Sequence, residues 1–412
     1  MAISPIPHWF EGSEYTHKVA ACIMKYGPIS RITLAQILGL SQGAVSRITS
    51  DLIYAGVIEE TPMAPGQGGR LPKDFVRKNS QKAAQKSGQK ENTERRGRPQ
   101  TGLRIVANAR TFVGMKINTT HITAVAVNAI GQIVTGCHDL PLDDDSPESV
   151  VDVIKQLTMD CADEAVMSGL PAPCAVGVSL GGHITDDSVT TFAPFLHWSK
   201  PVEFSAMIRK ATGLPTGIYN DIDSLAVDAC LFGSGVGLNS FAVVTIGIGV
   251  GYSLTVNGEP VNNPDKSYGL VGHILVDPDG PRCISGHKGC ATCLTDNSIA
   301  TEYSKIIGRP ATFDEFAAAA RASKTQATNL VNRICFRLGT LIATIANLAM
   351  PDKIMIAGES SFIAKLGVGD LRNGINMYRH SQAAPVDFEI ADHDWAMWGK
   401  AAAAQAIRKY VG

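Results

Sequence analysis

The sequence has no uninterrupted run of about 18 apolar residues, the length that a membrane-spanning helix requires. Its N-terminal stretch, MAISPIPHWFEGSEY, lacks the basic segment followed by an apolar segment that marks a secretory signal peptide. The nine cysteines are an odd number, and their scattered spacing does not indicate a disulfide framework. We therefore expect a protein of the reducing cytoplasm that does not enter a membrane.

Charged residues make up only 18% of the 412 residues, and they are unevenly distributed. Residues 1–104 hold 15 basic and 8 acidic side chains, a balance of +7, whereas the remainder holds 22 and 30, a balance of −8. A basic N-terminal part joined to an acidic body predicts an anionic partner for the first part only.

The basic part begins with the periodicity of three short helices, over residues 14–26, 34–38 and 42–55. The second and third are joined by a turn at Gly39, which is the helix-turn-helix pattern, and residues 57–60 would begin a wing. The polar start of the third helix suits major-groove recognition, because Gln pairs with adenine and Arg with guanine or phosphate. An ordinary helical subdomain with a polar face is the alternative. The predicted DNA-contacting residues of this helix are Ser41, Gln42, Gly43, Ser46 and Arg47.

A basic segment follows. Residues 70–98 contain ten Lys or Arg, three acids and almost no large apolar residues, so they cannot bury enough surface to fold alone. Two similar motifs, GGRLP and RGRP, stand at its ends. An extended Gly-Arg-Pro segment can insert its arginine into a narrow minor groove, so Arg70 and Arg98 are further candidates for DNA contact. A solvated tether is the alternative, and the sequence does not decide which motif would bind.

From about Leu103 strands and helices alternate, which indicates an α/β body of two lobes with a cleft between them. The predicted divisions are a winged helix-turn-helix domain over residues 1–72 and a flexible linker or extended wing over 73–103. The two lobes are expected over residues 104–225 and 226–412, the second with the C-terminal helix.

One stretch of the body, HILVDPDGPRCISGHKGCATC, is rich in residue types that bind zinc. One histidine and three cysteines, with glycines that permit tight turns, suit a tetrahedral structural Zn²⁺ site. Ser285 stands where another cysteine would be convenient, and His287 is a spare imidazole, so the fourth ligand is open. Three buried reduced cysteines are the alternative. The predicted metal ligands are His273, Cys283, Cys290 and Cys293.

Four stretches together resemble the ROK family (repressor, open reading frame, kinase), and specifically its winged-helix repressors. They are the N-terminal GPISRITLAQILGLSQGAVSRITSDLIYAGVIEE with GGRLP, then GVSLGGHI with GLPTGIYND, then TIGIGVGYSLTVNGEPV, and the cysteine stretch. The resemblance implies two actin-like lobes of the sugar-kinase/heat-shock-protein superfamily. It also implies a double-stranded DNA operator, a sugar or sugar phosphate effector, and a homodimer or homotetramer.

Departures from the family pattern argue against catalysis. Family kinases begin the body with an Asp-x-Gly-Gly-Thr turn that approaches the ATP phosphates and holds Mg²⁺. Here Lys116 replaces that aspartate and both glycines are absent, although Asp221 remains at the position of the catalytic base. We therefore expect no catalytic residues and no enzyme activity. A sugar kinase with an appended DNA-binding head is the alternative.

The implied sugar pocket has also changed. Leu270 stands where the family usually has a glutamate, and Phe195 where it usually has an asparagine. The resemblance leaves Gly182, Asn220, Asp221 and His273 as effector contacts, while the pair Asn220-Asp221 could instead cap a helix. The resemblance thus implies a sugar-responsive repressor of carbohydrate genes, and a regulator that has lost its effector and responds to a partner protein is another alternative.

Overall fold

The computed structural model describes residues 5–63, 70–77, 100–263 and 265–412. The chain forms two compact units. The first unit runs to Asn239 and is completed by Trp395–Gly412, whereas the second consists of Ser240–Asp394. The second unit is therefore an insertion in the first. This division differs from the predicted one, which fell after residue 225 and assigned the C-terminal helix to the second lobe.

The N-terminal part of the first unit, here called the head, consists of three helices and a small antiparallel sheet. The helices α1, α2 and α3 span Glu14–Tyr26, Arg31–Leu38 and Gln42–Tyr54. The strands β1, β2 and β3 span Ile29–Ser30, Ile58–Met63 and Gln100–Ile105. Strand β3 lies between β1 and β2 and pairs antiparallel with both.

The turn between α2 and α3 follows from its residues. Gly39 ends α2 in the left-handed conformation, with φ of 65°, which glycine adopts without steric cost. Ser41 is the N-cap of α3, since its side chain accepts a hydrogen bond from the Ala44 N–H at 3.2 Å. The predicted turn and third helix are confirmed.

Strand β3 includes the last residues of the predicted linker or extended wing. Residues 100–103 were assigned to the linker or an extended wing, and they are the beginning of a strand that pairs with β2 from Met63↔Gln100 to Ile58↔Ile105. The side chains of Leu103 and Ile105, two residues apart on β3, lie on the same face of the strand and are buried. They give β3 an apolar face.

The rest of the first unit is a five-stranded sheet with helices. The strands β4, β5, β6, β7 and β10 span Thr111–Ile117, His121–Asn128, His138–Pro141, Pro173–Leu180 and Thr216–Asn220. Their order is β10-β7-β4-β5-β6, and a hairpin of β8 and β9 spans His183–Thr185 and Val189–Phe192. The helices α4, α5, α6 and α12 span Pro147–Met167, Phe204–Thr212, Asp221–Phe232 and Trp395–Val411.

Glycines in the sheet explain why the C-terminal helix α12 belongs to the first unit. A Cβ atom on Gly114 of β4 would lie 2.0 Å from the Gly399 carbonyl oxygen, and one on Gly177 of β7 would lie 2.2 Å from that of Ala402. Only glycine permits such close approach of strand and helix backbones. The buried face of α12 is rich in alanine, and these small side chains allow the helix to pack closely on the sheet.

The second unit is built around another five-stranded sheet, in the order β13-β12-β11-β14-β15. These strands, β11 to β15 in chain order, span Ser240–Ile246, Val250–Val256, Glu259–Pro260, Lys353–Ala357 and Phe388–Ile390. The helices α7 to α11 span Asp296–Ile307, Phe313–Arg321, Thr325–Leu348, Phe362–Leu366 and Val368–Met377. Among the described residues of the whole chain, no helix is both long and apolar enough to cross a membrane.

Candidate functional site

Helix α3 has one buried and one exposed face. Val45, Thr49 and Leu52 are buried at helical spacing, which fixes the helix in the head. The opposite face carries the polar residues that the sequence indicated, so they are available to a partner. All five predicted DNA-contacting residues of this helix are exposed: Ser41, Gln42, Gly43, Ser46 and Arg47.

Arg31 holds α3 against strand β2, a role that the sequence analysis missed. Its Nε donates to the hydroxyl of Thr49, a fully buried residue of α3, at 2.9 Å. Its Nη1 lies 2.7 Å from a carboxylate oxygen of Glu60 in β2. One planar guanidinium thus joins three elements of the head, and its fork geometry allows both contacts at once.

Of the two arginines predicted to contact DNA from the basic segment, the structure describes Arg70. Arg98 lies outside the described residues. Arg70 is exposed, and its Nη1 donates to the carbonyl oxygen of Gly233 at 3.3 Å. The structure therefore places the guanidinium of Arg70 on the body, directly after helix α6.

A buried ion pair occupies the end of strand β4. Nζ of Lys116 lies 2.5 Å from Oδ2 of Asp221, and these residues are 7% and 9% exposed. Oδ1 of Asp221 accepts the Ile222 N–H at 2.9 Å, and the ammonium of Lys116 also lies 5.4 Å from the centre of the Trp398 ring. Both oxygens of the predicted effector-binding carboxylate therefore have partners within the chain.

Asn220 is the N-cap of helix α6. Its Oδ1 accepts the Ile222 and Asp223 N–H groups at 3.1 and 3.2 Å. Its Nδ2 donates to the carbonyl oxygen of Gly182 at 3.1 Å. The structure thus brings together Gly182, Asn220 and Asp221 as predicted, and it also shows the helix-cap role that was the alternative for Asn220.

An aromatic ring lies beside this group. Phe195 is 44% exposed, and a Cβ atom on Gly181 would lie 3.2 Å from its ring and 3.6 Å from Oδ2 of Asp221. This part of the first unit therefore combines a hydrogen-bonded polar group with an apolar side chain.

Four side chains of the second unit form a cluster with metal-binding geometry. One ligand atom from each lies within 4.8 Å of those of the others. Gly289, at φ of 75°, permits this fold because a Cβ atom there would lie 1.7 Å from the carbonyl oxygen of Asp277. Two thiols and two imidazoles are a donor set that suits tetrahedral Zn²⁺. The cluster consists of His273, Cys283, His287 and Cys290.

The two thiols of this cluster have opposite pKa shifts. Partial burial acts to raise the pKa of Cys283, but the backbone N–H groups of Ser285 and His287 outweigh it, so that the pKa is lowered. Burial and the neighbouring Cys283 raise the pKa of Cys290. A thiolate is the form that binds metal, so the backbone around Cys283 favours its ligating state.

Cys293 corrects the predicted ligand set, since the structure has His287 in the cluster in its place. Cys293 lies in the single turn Ala291–Leu294, is 2% exposed and belongs to the hydrophobic core of the second unit. Burial raises the pKa of its thiol to about 12. Ser285, the other candidate, is exposed and is not part of the cluster.

A sequence model of the ROK family matches residues 112–406, well over half of the chain. This protein belongs to the ROK family. Similar ROK proteins include the DNA-binding transcriptional repressor Mlc of Escherichia coli, 23% identical over 84% of this chain and 80% of Mlc. A putative xylose repressor of Caldicellulosiruptor is 23% identical over 85% of this chain and 84% of its own length.

A crystal structure of a ROK family transcriptional regulator, a homologue of E. coli Mlc, covers 96% of both chains with a TM-score of 0.70 and 23% identity. The two proteins therefore share the ROK fold over nearly their whole length, head included.

The glycine turn of the ROK body in the second unit carries acidic side chains. A Cβ atom on Gly247 would lie 2.2 Å from a carboxylate oxygen of Glu359, so this carboxylate packs on the turn. The N–H of Asp296 donates to the Gly247 carbonyl oxygen at 2.9 Å, and burial raises the pKa of Asp296 to about 6. A carboxylate against a turn that resembles the family's phosphate turn would repel a nucleotide phosphate.

Proposed function

We propose that this protein is a sugar-responsive transcription regulator, acting as a repressor of carbohydrate uptake or catabolism genes in the cytoplasm. The observation that carries the proposal is the exposed polar face of α3 on a head of three helices and a small antiparallel sheet. This arrangement suits a winged helix-turn-helix domain whose recognition helix enters the major groove. The names of the two relatives, both repressors, support the same function.

The pair Lys116–Asp221 supports a regulator over a kinase. A general base must be able to reach and accept the proton of a substrate hydroxyl, and here a buried ammonium already engages Asp221. Glu359 adds a negative charge at the glycine turn where a kinase would need to bind phosphate. A coupled assay that detects sugar-dependent ATP consumption would restore the kinase alternative.

The proposed effector contacts are Gly182, Asn220, Asp221 and His273, with a sugar or sugar phosphate as ligand. Asp221 keeps unused lone pairs that can accept from a sugar hydroxyl, because each carboxylate oxygen can accept more than one hydrogen bond. The aromatic face of Phe195 suits the apolar side of a modified sugar better than a polar one.

The internal hydrogen bonds of Asn220 and Asp221 also favour a second candidate function, a regulator without a sugar effector. In that case the pair serves only to cap α6 and to compensate Lys116. Calorimetry that gives no heat with any sugar or sugar phosphate, together with intact operator binding, would favour this candidate.

We further propose that His273, Cys283, His287 and Cys290 hold a structural Zn²⁺. The two-Cys, two-His donor set fits the metal, which would link the start and the end of the glycine-rich loop. Since His273 is both a proposed ligand and a proposed effector contact, its second ring nitrogen would couple the metal loop to the effector.

The regulator would act as a homodimer or homotetramer on a double-stranded operator with two half-sites. The test is fluorescence anisotropy at fixed salt with labelled DNA from upstream of the protein's own gene, because phosphate contacts make affinity salt-dependent. Tight binding that one sugar or sugar phosphate releases is the expected result. No binding to any neighbouring fragment, with or without ligand, would overturn the proposal.

A further inference from the structure

The segment that follows the wing is fastened to the body of the first unit. The Lys73 N–H donates to the Gly237 carbonyl oxygen at 2.9 Å, and Nδ2 of Asn239 donates to the carboxylate of Asp74 at 3.1 Å. Leu71 packs against the hydrophobic cluster that the head and the body share. We name residues 70–74 the latch and residues 233–239 the latch seat.

The seat has a shape that only glycine provides. Gly237 is buried and has φ of 82°, which favours glycine. A Cβ atom there would lie 2.7 Å from the carbonyl oxygen of Leu71 and 3.4 Å from that of Arg70. The latch backbone therefore lies directly on the backbone of the seat.

This docking conflicts with DNA binding by the same motif. The guanidinium of Arg70 lies on the seat, where its Nη1 donates to the Gly233 carbonyl oxygen, whereas an arginine that reads a minor groove has to place its guanidinium inside the groove. It cannot do both. We propose that the latch is an autoinhibitory contact, in which the seat withholds Arg70 from DNA until the latch is released. The inference rests on the proposed DNA-binding function.

The described contacts suit a reversible switch. Arg70, Lys73 and Asp74 are exposed, so their hydrogen bonds compete with water and contribute little free energy each. An element of such low stability can exchange between two states when a ligand favours one of them.

The position of the seat connects it with the proposed effector pocket. Helix α6 has 12 residues, about 18 Å in length at 1.5 Å per residue, and it begins beside Asn220 and ends at Gly233. The seat then ends at Asn239, immediately before the second unit begins. A ligand that shifts α6 would therefore act on the seat.

The test compares two full-length glycine variants in the anisotropy assay. Gly237→Ala should release the latch and tighten DNA binding by about fivefold or more, the range of allosteric couplings. Gly213→Ala is the matched control, because Gly213 has a similar φ of 74° with nothing within 4 Å of its Cβ position. Its affinity should equal that of the wild type. Leu71→Ser, which weakens the latch from the other side, should reproduce the gain.

Two further measurements make the result decisive. In the Arg70→Ala background the gain from Gly237→Ala should vanish, since the released latch then has no arginine to insert. Hydrogen exchange at the Lys73 amide should be faster in Gly237→Ala than in the wild type. Equal DNA affinity of folded Gly237→Ala, Leu71→Ser and wild type would overturn the latch while leaving the DNA-binding function intact. No DNA binding by any variant would overturn that function instead.

Discussion

Lys116 and Asp221 form a buried ion pair between the end of strand β4 and the start of helix α6, with a separation of 2.5 Å. Their side chains are 8% and 12% exposed, so each charge depends on the other for compensation. Lys116 cannot hold Mg²⁺, as the aspartate of family kinases does at this position. Its ammonium instead supplies the counter-ion for the buried carboxylate of Asp221.

Lys116→Met should therefore lower the free energy of unfolding by about 3–5 kcal/mol, because it leaves Asp221 buried without a counter-ion. Lys116→Met/Asp221→Asn should recover most of that loss, since the amide still accepts the Ile222 N–H. The control is Lys18→Met, which breaks the exposed pair with Glu14, also of 2.5 Å, and should have no measurable effect. Urea unfolding at pH 7 measures all three, and a Lys116→Met variant as stable as the double variant would contradict the interpretation.

The metal cluster predicts that zinc binding requires His287 and does not require Cys293. His287→Ala should reduce bound zinc from one equivalent to well below one after dialysis, because three ligands hold the ion more weakly than four. Cys293→Ala should retain one equivalent, since its thiol belongs to the hydrophobic core. Elemental analysis of the purified variants decides between them, and the opposite pattern would restore the ligand set predicted from the sequence.

Arg47→Ala should weaken operator binding by about 1–3 kcal/mol if the guanidinium contacts a base, with loss of discrimination at one position. If it contacts a phosphate, affinity should fall equally for all sequences and the salt slope should decrease by about one. Lys155→Ala, an exposed cation on α4, is the control and should change neither quantity. Anisotropy titrations at several salt concentrations separate these outcomes, and unchanged binding would exclude α3 as the recognition helix.

Asp296 predicts a pH effect on stability. Burial raises its pKa to about 6 in the folded state, above the ordinary value of 3.8, so the folded protein holds this proton more tightly than the unfolded chain. Its contribution is present at low pH and is lost as the pH rises from about 4 to about 6. Relative to Asp296→Asn, the wild type should lose about 1–2 kcal/mol over this range, after allowance for partial exposure. Urea unfolding at pH 4, 5, 6 and 7 measures this, and a pH-independent difference would refute it.

Local signals in the sequence predicted local structure well. Gly39 and Ser41 predicted the turn and the start of α3, because left-handed φ and N-cap hydrogen bonding depend on the residue itself. Cys293 was assigned wrongly, since spacing does not show that the turn after Cys290 directs its thiol into the core. A lysine within the apolar strand Thr111–Ile117 signals a buried partner, but only the fold identifies Asp221, 105 residues later, as that partner.

The contact of Gly114 with Gly399 has a consequence for biosynthesis. The head and the first-unit sheet leave the ribosome early, yet helix α12, which covers β4 and β7, is translated only after the whole second unit. Helix α1 and the segment before it also depend on α12, since the Trp9 N–H donates to the Tyr410 carbonyl oxygen at 2.7 Å. The second unit can bury its own core before α12 has been translated to cover the sheet of the first unit. A nascent chain therefore leaves this apolar sheet uncovered until α12 has been translated.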